Sequence, residues 1–290
     1  MRSKLFVPAS RPELFPKALA SDADAVCYDL EDAVIEERKE EARAGLRVYL
    51  KSAAPVNCPL EIVRINGFRS AHFLDDLEAI VWPRLMAVVL PKVEDADEVR
   101  ELEEALRKLE NERHCPRPVM ILPTIESPAG LRKAHDIALS SDRIAGLQAG
   151  FADLLEPLGI VSSHSFARSQ VRLALRLAAG EAHLPCFDAA YANFRDLEGF
   201  AAEAELARAL GFRGTSCIHP SQVVVANRVY APTAAEIEHA VRVIAAMDAA
   251  REAGSGVPVV DGRMVDAPFE RAAKLLLARA LSKARQRWNE

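Results

Sequence analysis

Short apolar runs alternate with longer amphipathic stretches along the chain. Each run is about the length of a strand, and most are apolar at both odd and even positions, which is typical of a strand covered on both faces. The runs are KLFVPA (4–9), AVCYDLED (25–32), LEIVRIN (60–66), MAVVLPKVE (86–94), PVMILPTIES (118–127), IAGLQAGFADL (144–154), CFDAAYA (186–192) and GTSCIHPSQ (214–222). The pattern therefore predicts eight buried strands.

The segments between these runs predict helices. They are rich in Ala, Leu, Glu, Lys and Arg, and their apolar residues recur at steps of three and four. Examples are residues 11–21, 35–52, 95–112, 128–141 and 197–212. Strand followed by helix, eight times, predicts a (β/α)8 TIM barrel. A doubly wound sheet is the alternative, but it usually has a Gly-rich phosphate loop after its first strand, and FVPASRPE (6–13) has none.

The chain continues beyond the eighth predicted strand. We assign residues 1–222 to the barrel and residues 223–290 to a C-terminal extension. In the extension, residues 231–254 predict a helix, GVPVVDGRMVDAP (256–268) predicts an extended or hairpin-like piece, and residues 269–288 predict an amphipathic helix with a basic tail. We expect this extension to pack on the barrel or on a neighbouring subunit.

Composition narrows the range of partners. The 290 residues are 50% hydrophobic with a net charge of −5, so no basic stripe is present to neutralise the phosphates of a nucleic acid. No window reaches the 18 or so apolar residues that a membrane span needs, and the N-terminal stretch lacks the apolar segment of a signal peptide. The five cysteines are odd in number and scattered, which favours reduced thiols in a cytoplasmic protein.

Polar residues follow most of the predicted strands. In a barrel, the C-terminal ends of the strands carry the active site. The strand-end residues are Asp29, Glu31, Asp32, Arg64, Asn66, Lys92, Glu94, Glu126, Asp153, His219 and Gln222. This acid-rich set suits a hard divalent cation and an anionic substrate. Mg²⁺ typically takes one or two carboxylates and completes its shell with water and substrate oxygens, and Glu126 and Asp153 could supply that pair.

Eight ordered motifs carry a family resemblance. They are LFVPASRP (5–12), YDLEDAV (28–34), VRIN (63–66), VVLPKVE (88–94), LPTIESPAGL (122–131), GFADL (150–154), CIHPSQ (217–222) and DGRMVDAP (261–268). Over roughly residues 1–275, the chain resembles the citrate lyase β-subunit-like proteins of the metal-dependent aldolase and citrate lyase superfamily. It departs from many relatives at Ala9, where they have Gly, and in GFAD (150–153). Both loops are candidates for CoA contact, so the identity of the thioester stays open.

The resemblance implies a TIM barrel and a specific chemistry. It implies Mg²⁺, with Mn²⁺ as a possible substitute, held by Glu126 and Asp153, and Arg64 as the cation for substrate and transition state. The implied reaction is carbon–carbon cleavage of a 3-hydroxyacyl-CoA, such as a malyl, citramalyl or citryl thioester. The predicted substrate-binding residues are Arg64, Asp29, Glu31, Asp32 and Asn66, and Glu31 and Asp32 are expected to orient Arg64 or a metal-bound water.

Asp266 is the predicted general base. Its segment, DGRMVDAP, resembles the C-terminal segment that family trimers insert into a neighbour's active site, which implies a homotrimer. The presence of this segment favours a free-standing lyase. The alternative for Asp266 is a helix N-cap, because Pro268 follows in the first turn.

Other interpretations of the strand-end residues remain. Lys92 could form a Schiff base, as in one class of aldolases, although the carboxylate pair and Arg64 make that redundant. His219 is expected to make a structural hydrogen bond. Two other functions stay open: the β subunit of a multi-subunit citrate lyase acting on a carrier-bound thioester, and a CoA-independent metal-dependent 2-keto-acid aldolase.

Overall fold

The computed structural model describes residues 1–52 and 58–281. Eight parallel strands form a closed barrel, in which each strand pairs with its sequence neighbour and β1 pairs with β8. The strands are β1 (Ser3–Pro8), β2 (Ala25–Asp29), β3 (Leu60–Arg64), β4 (Ala87–Leu90), β5 (Met120–Ile125), β6 (Leu147–Ala149), β7 (Cys186–Asp188) and β8 (Gly214–Cys217). Seven of the eight lie within a predicted apolar run and β1 begins one residue before its run, so the predicted TIM barrel is confirmed.

Helices follow the strands. They are α1 (Phe15–Leu19), α2 (Lys39–Lys51), α3 (Phe73–Ile80), α4 (Ala96–Glu112), α5 (Pro128–Arg132), α6 (Ala134–Ala138), α7 (Phe151–Leu155), α8 (Ser165–Glu181), α9 (Leu197–Ala209) and α10 (Pro220–Val229). The single helix predicted at 128–141 is divided into α5 and α6. Lys133 separates them, since its φ of −100° and ψ of 9° leave the helical region. No described helix has an apolar stretch of the length that a bilayer crossing needs.

The chain divides into two compact units, Met1–Tyr230 and Ala231–Glu290. The boundary that we assigned after residue 222 falls inside α10, the helix that follows the eighth strand. In the second unit, α11 (Ala234–Glu252) and α12 (Ala267–Leu281) flank a hairpin of β9 (Val259–Val260) and β10 (Arg263–Met264), as the sequence predicts. The predicted basic tail after residue 281 lies outside the described residues.

Lys4 is an unusual component of the barrel wall. It lies on β1, is 1% exposed, and its Nζ has no hydrogen-bond partner among the described residues. The Nζ lies 5.2 Å from the centre of the Phe6 ring. Burial lowers the pKa of Lys4 from its usual value near 10.5 to about 8, and the nearby Arg64 cation acts in the same direction. Cys27 and Cys217 are close but remain neutral thiols, because burial raises the pKa of each to about 12.

We expect Lys4→Met to stabilise the protein at pH 7. Below pH 8 the folded protein holds a buried, unpaired ammonium, and a pKa lowered to about 8 corresponds to a cost on the order of 3 kcal/mol. As the pH rises from 8 to 10.5, the folded state loses this proton before the unfolded state does, so the cost is relieved. Urea unfolding of both proteins at pH 7 and pH 9.5 should show a stability gap that narrows at the higher pH. A variant less stable than the wild type at pH 7 would refute this interpretation.

Candidate active site

Asp29 and Arg64 meet where β2 and β3 end. The two residues are direct partners in the parallel register. Arg64 donates from Nε to Asp29 Oδ1 at 2.7 Å and from Nη2 to Oδ2 at 2.6 Å, a bidentate pair. Asp29 also accepts from the backbone N–H groups of Glu31 and Ala33. The carboxylate of Asp29 is thereby fully engaged, and its geometry orients Arg64.

Two further carboxylates surround the same guanidinium. Arg64 Nη1 lies 2.9 Å from Glu31 Oε2 and 3.4 Å from Asp32 Oδ2. Burial raises the pKa of Glu31, and Asp32 adds to the shift, although Arg64 and Lys92 oppose it. Burial opposes the charge of Arg64, but the hydrogen bonds to Asp29 and the fields of the carboxylates outweigh it and raise its pKa. Arg64 therefore stays cationic while sharing its charge among three acids.

Glu126 is buried at the end of β5. Its side chain is 6% exposed, and its Oε1 accepts a 2.7 Å hydrogen bond from the backbone N–H of Lys92. Lys92 adopts a left-handed conformation with φ of 56°, which is uncommon for a residue other than glycine. On the other side, a Cβ atom at Gly150 would collide with the Glu126 side chain. Two neighbouring strand ends thus fix this carboxylate closely.

Asp153 lies in the first turn of α7, and its side chain is exposed, unlike that of Glu126. Burial raises the pKa of Glu126 to about 8, and the fields of Glu31 and Asp153 act in the same direction. A divalent cation would relieve the repulsion that raises this pKa. No cluster of three or more His, Cys, Asp or Glu residues suited to a metal occurs in the described part of the chain. The pair fits Mg²⁺, which takes its remaining ligands from water and substrate.

Lys92 connects Glu126 with Glu31, the carboxylate beside Arg64. Its backbone N–H binds Glu126, and its Nζ donates to Glu31 Oε1 at 2.7 Å. Partial burial opposes its charge, but the hydrogen bond to Glu31 and the fields of Glu31, Asp32 and Asp153 raise the pKa of Lys92. A Schiff-base lysine needs a lowered pKa to be nucleophilic at neutral pH. The geometry therefore argues against the Schiff-base interpretation.

Asn66 and His219 have structural partners. The Asn66 amide donates to Asp76 and to the Leu30 carbonyl, and its Oδ1 accepts from Lys39 at 2.7 Å. This network leaves Asn66 little capacity for direct substrate binding, although it lines a cavity at the barrel mouth. His219 caps the N-terminus of α10.

Asp266 belongs to the second unit. It is exposed immediately before α12, and its carbonyl accepts from the backbone N–H of Glu270. The other predicted site residues lie at the mouth of the barrel, in the first unit: Asp29, Glu31, Asp32, Arg64, Asn66, Glu126 and Asp153.

Two cavities meet at the barrel mouth, and Asp32, Glu126 and Asp153 line both of them. The Lys92 cavity, of about 660 Å³, is lined mainly by charged and polar residues, which include Lys92 and Arg69. The Arg168 cavity, of about 690 Å³, has a more apolar lining. Its residues include Arg64, Phe6, Phe151, Arg168, Tyr191, Thr124, Gln148 and Ser216.

The predicted site residues did not include Thr124, Gln148, Ser216 or Arg168, which line the Arg168 cavity. A signal for Thr124 and Gln148 was present in the sequence, since each is a polar residue inside an otherwise apolar strand, whereas Ser216 follows a second polar residue, Thr215, on β8. Arg168 carried no such signal, because a basic residue on a helix normally points to solvent.

A closed barrel whose strand ends hold a clamped arginine, a buried glutamate and an exposed aspartate defines a barrel enzyme with a site for a hard cation. The chain belongs to the HpcH/HpaI aldolase/citrate lyase family, whose model matches residues 2–220. This confirms the family resemblance carried by the eight motifs.

Individual relatives match over almost the whole chain. The citrate lyase subunit beta of Haemophilus influenzae is 36% identical over 98% of both chains. A (3S)-malyl-CoA thioesterase of Cereibacter sphaeroides is also 36% identical, over 96% of this chain and 94% of its own. Among solved structures, the protein CitE of Mycobacterium tuberculosis in complex with magnesium, acetoacetate and coenzyme A is 36% identical, with a TM-score of 0.76 over 97% of this chain and all of that one.

Proposed function

We propose that the protein is a Mg²⁺-dependent carbon–carbon lyase that cleaves a 3-hydroxyacyl-CoA to a 2-keto acid and acetyl-CoA. The observation that carries this proposal is the convergence of Glu126, Asp153 and Arg64 on one cavity. Glu126 and Asp153 can supply two oxygen ligands to a hard cation, and Arg64 adds a permanent positive charge beside them. Cleavage of a 3-hydroxyacyl thioester requires the metal to polarise the substrate and a cation to hold the enolate charge. The related M. tuberculosis protein binds magnesium and coenzyme A together, which supports the same combination here.

In this reaction the C2–C3 bond of the acyl group breaks. A base removes the proton of the 3-hydroxyl group, that oxygen becomes the keto oxygen, and the electron pair of the broken bond forms a thioester enolate. The enolate then takes a proton on carbon to give acetyl-CoA. The metal, when bound by Glu126 and Asp153, would polarise the hydroxyl and carboxylate oxygens and lower the pKa of the hydroxyl group. Mn²⁺ is proposed as a substitute, because it accepts the same oxygen ligands.

Arg64 is proposed to hold the negative charge that develops on the enolate. The Arg64 guanidinium has five N–H groups, and Asp29 accepts hydrogen bonds from two of them. Nη1 approaches Glu31 at 2.9 Å without the geometry of a hydrogen bond, so its N–H groups remain for the substrate. Because Asp29 locks the guanidinium plane, Arg64 needs little reorganisation during the reaction.

Asp266 is proposed as the base that takes the hydroxyl proton, acting on the barrel of a neighbouring subunit in a cytoplasmic homotrimer. A carboxylate that is exposed in its own subunit and precedes a helix can enter the site of another subunit without first breaking a buried ion pair. The C-terminal extension is proposed to pack on that neighbour.

The test is a cleavage assay on malyl-CoA, citramalyl-CoA and citryl-CoA, with Mg²⁺ and with EDTA. We expect acetyl-CoA and a keto acid with Mg²⁺, and loss of at least about 10²-fold in rate with EDTA that added Mg²⁺ or Mn²⁺ restores. Mass spectrometry of the products separates cleavage from hydrolysis.

Each other outcome of this assay identifies a different function. Free CoA with an intact hydroxy acid would indicate a thioesterase, the activity named for the Cereibacter relative. Cleavage of a carrier-bound citryl group alone would indicate the β subunit of a larger citrate lyase. Activity only on a keto acid and an aldehyde without CoA would indicate an aldolase.

A further inference from the structure

Three buried polar residues of the Arg168 cavity have no part in the reaction described above. They are Thr124 on β5, Gln148 on β6 and Ser216 on β8; each is at most 6% exposed, and together they are called the polar floor of the cavity. Their Oγ1, Oε1 and Oγ atoms respectively have no hydrogen-bond partner among the described residues. Thr124 and Gln148 are also direct partners in the register of β5 and β6, so two of these groups stand side by side.

Folding alone does not account for this floor. A buried polar group without a partner costs about 1–3 kcal/mol, and an apolar residue of the same size would avoid that cost. The neighbouring position on the same face of β5, Leu122, is apolar and buried. The hydroxyl groups of Thr124 and Ser216 can each donate to an oxygen atom of a ligand, and Gln148 can donate from its Nε2 once its amide is turned by 180°. Three such groups on one cavity wall therefore indicate a ligand with several acceptor oxygens.

Arg168 adds a positive charge to the same cavity. It lies on α8 with its guanidinium 4.5 Å from the centre of the Phe151 ring, and its Nε has no hydrogen-bond partner in the described chain. Its Nη1 lies 3.2 Å from Glu203, but Glu203 also accepts a 2.8 Å hydrogen bond from Arg172. Of the two cations among the described lining residues, Arg64 is clamped by Asp29, so Arg168 has the freer guanidinium.

We propose that Thr124, Gln148, Ser216 and Arg168 form a subsite for a carboxylate-bearing substituent on the hydroxyl carbon of the acyl group. This inference rests on the proposed function and specifies its substrate class. A carboxymethyl substituent, as in a citryl group, offers oxygens to the floor and a charge to Arg168. A hydrogen or methyl substituent, as in malyl or citramalyl groups, leaves the floor unpaired. Selection follows because a site built to hydrogen-bond a group rejects analogues that lack it.

Calorimetric binding of three keto acids in the presence of Mg²⁺ tests this subsite. Glyoxylate, pyruvate and freshly dissolved oxaloacetate carry hydrogen, methyl and carboxymethyl at the position in question. We expect the wild type to bind oxaloacetate at least about tenfold more tightly than pyruvate. Gln148→Leu and Ser216→Ala should each remove most of this preference by weakening oxaloacetate alone. Ser70→Ala, which changes a serine that lines the Lys92 cavity, is the matched control and should alter neither affinity.

The outcomes separate this inference from the proposed function. Wild-type protein that binds pyruvate and oxaloacetate equally would overturn the subsite and leave the lyase proposal standing. Variants that lose both ligands equally would also overturn it, because the residues would then only support the fold. Failure of the wild type to bind any keto acid with Mg²⁺ would overturn both proposals. If Gln148→Leu does not fold, Ser216→Ala and the isosteric Thr124→Val carry the test.

Discussion

Glu126→Gln should lower the cleavage rate by roughly 10³-fold, because the metal's polarisation of the substrate is worth several kcal/mol. Glutamine keeps the volume of the side chain and an oxygen that can accept from the Lys92 N–H, so only the charge is lost. Mn²⁺ affinity, followed by electron paramagnetic resonance, should fall at least about tenfold in parallel. Metal-free stability should not fall, since burial and the neighbouring acids Glu31 and Asp153 already disfavour the Glu126 carboxylate.

Arg64→Lys is the matched variant for this measurement. Lysine keeps the positive charge beside Asp29 but cannot reproduce the bidentate fork or present further N–H groups in a fixed plane. We expect a loss on the order of 10²-fold in rate with Mn²⁺ affinity nearly unchanged. The assignment of Glu126 as a metal ligand would be wrong if Glu126→Gln retained its affinity for Mn²⁺. It would also be wrong if Arg64→Lys lost Mn²⁺ affinity as completely as Glu126→Gln.

Charge balance at the barrel mouth gives an independent reason to expect a bound cation. The carboxylates there are Asp29, Glu31, Asp32, Glu126 and Asp153, and the cations paired with them are Arg64 and Lys92. The acids outnumber the cations, and Glu126 is buried among them. A divalent cation compensates much of this excess, which is why the raised pKa of Glu126 indicates a ligand site as well as a buried group.

The sequence predicted the barrel and the placement of Asp29 and Arg64 at its mouth for one physical reason. Strands buried on both faces produce apolar runs, and neighbouring parallel strands of equal length bring their last residues together. Asp29 and Arg64 are such last residues, and they pair in register. Glu126 was predictable in the same way, because it directly follows β5.

Other features depend on geometry that residue types do not encode. The role of Lys92 rests on its left-handed backbone, which points its N–H at Glu126. Asn66 was expected to bind substrate, yet its amide is engaged by Lys39 and Asp76, residues distant in the sequence. The polar floor of the Arg168 cavity becomes evident only when its missing hydrogen bonds are counted, since a threonine or glutamine within a strand marks an unusual position but does not show what the side chain faces.

Asp266→Asn is expected to lower the rate by about 10²–10⁴-fold, the usual effect of losing a general base, without changing Mn²⁺ affinity. Mixed oligomers of Asp266→Asn and Glu126→Gln subunits should regain activity, because some sites then combine an intact barrel from one subunit with an intact Asp266 from its neighbour. In a closed trimeric ring that contains both variants, about one site in three should be intact.

Co-expression of the two variants with different affinity tags, followed by tandem purification, would give the mixed species for assay. Mixtures of Glu126→Gln with Arg64→Lys are the control, since both changes lie in the barrel and no combination restores a site. Full activity of Asp266→Asn by itself would leave Asp266 as only the residue that precedes α12. An inactive Asp266→Asn that Glu126→Gln cannot rescue would mean that the base acts within its own subunit, and the proposed insertion into a neighbour would have to be abandoned.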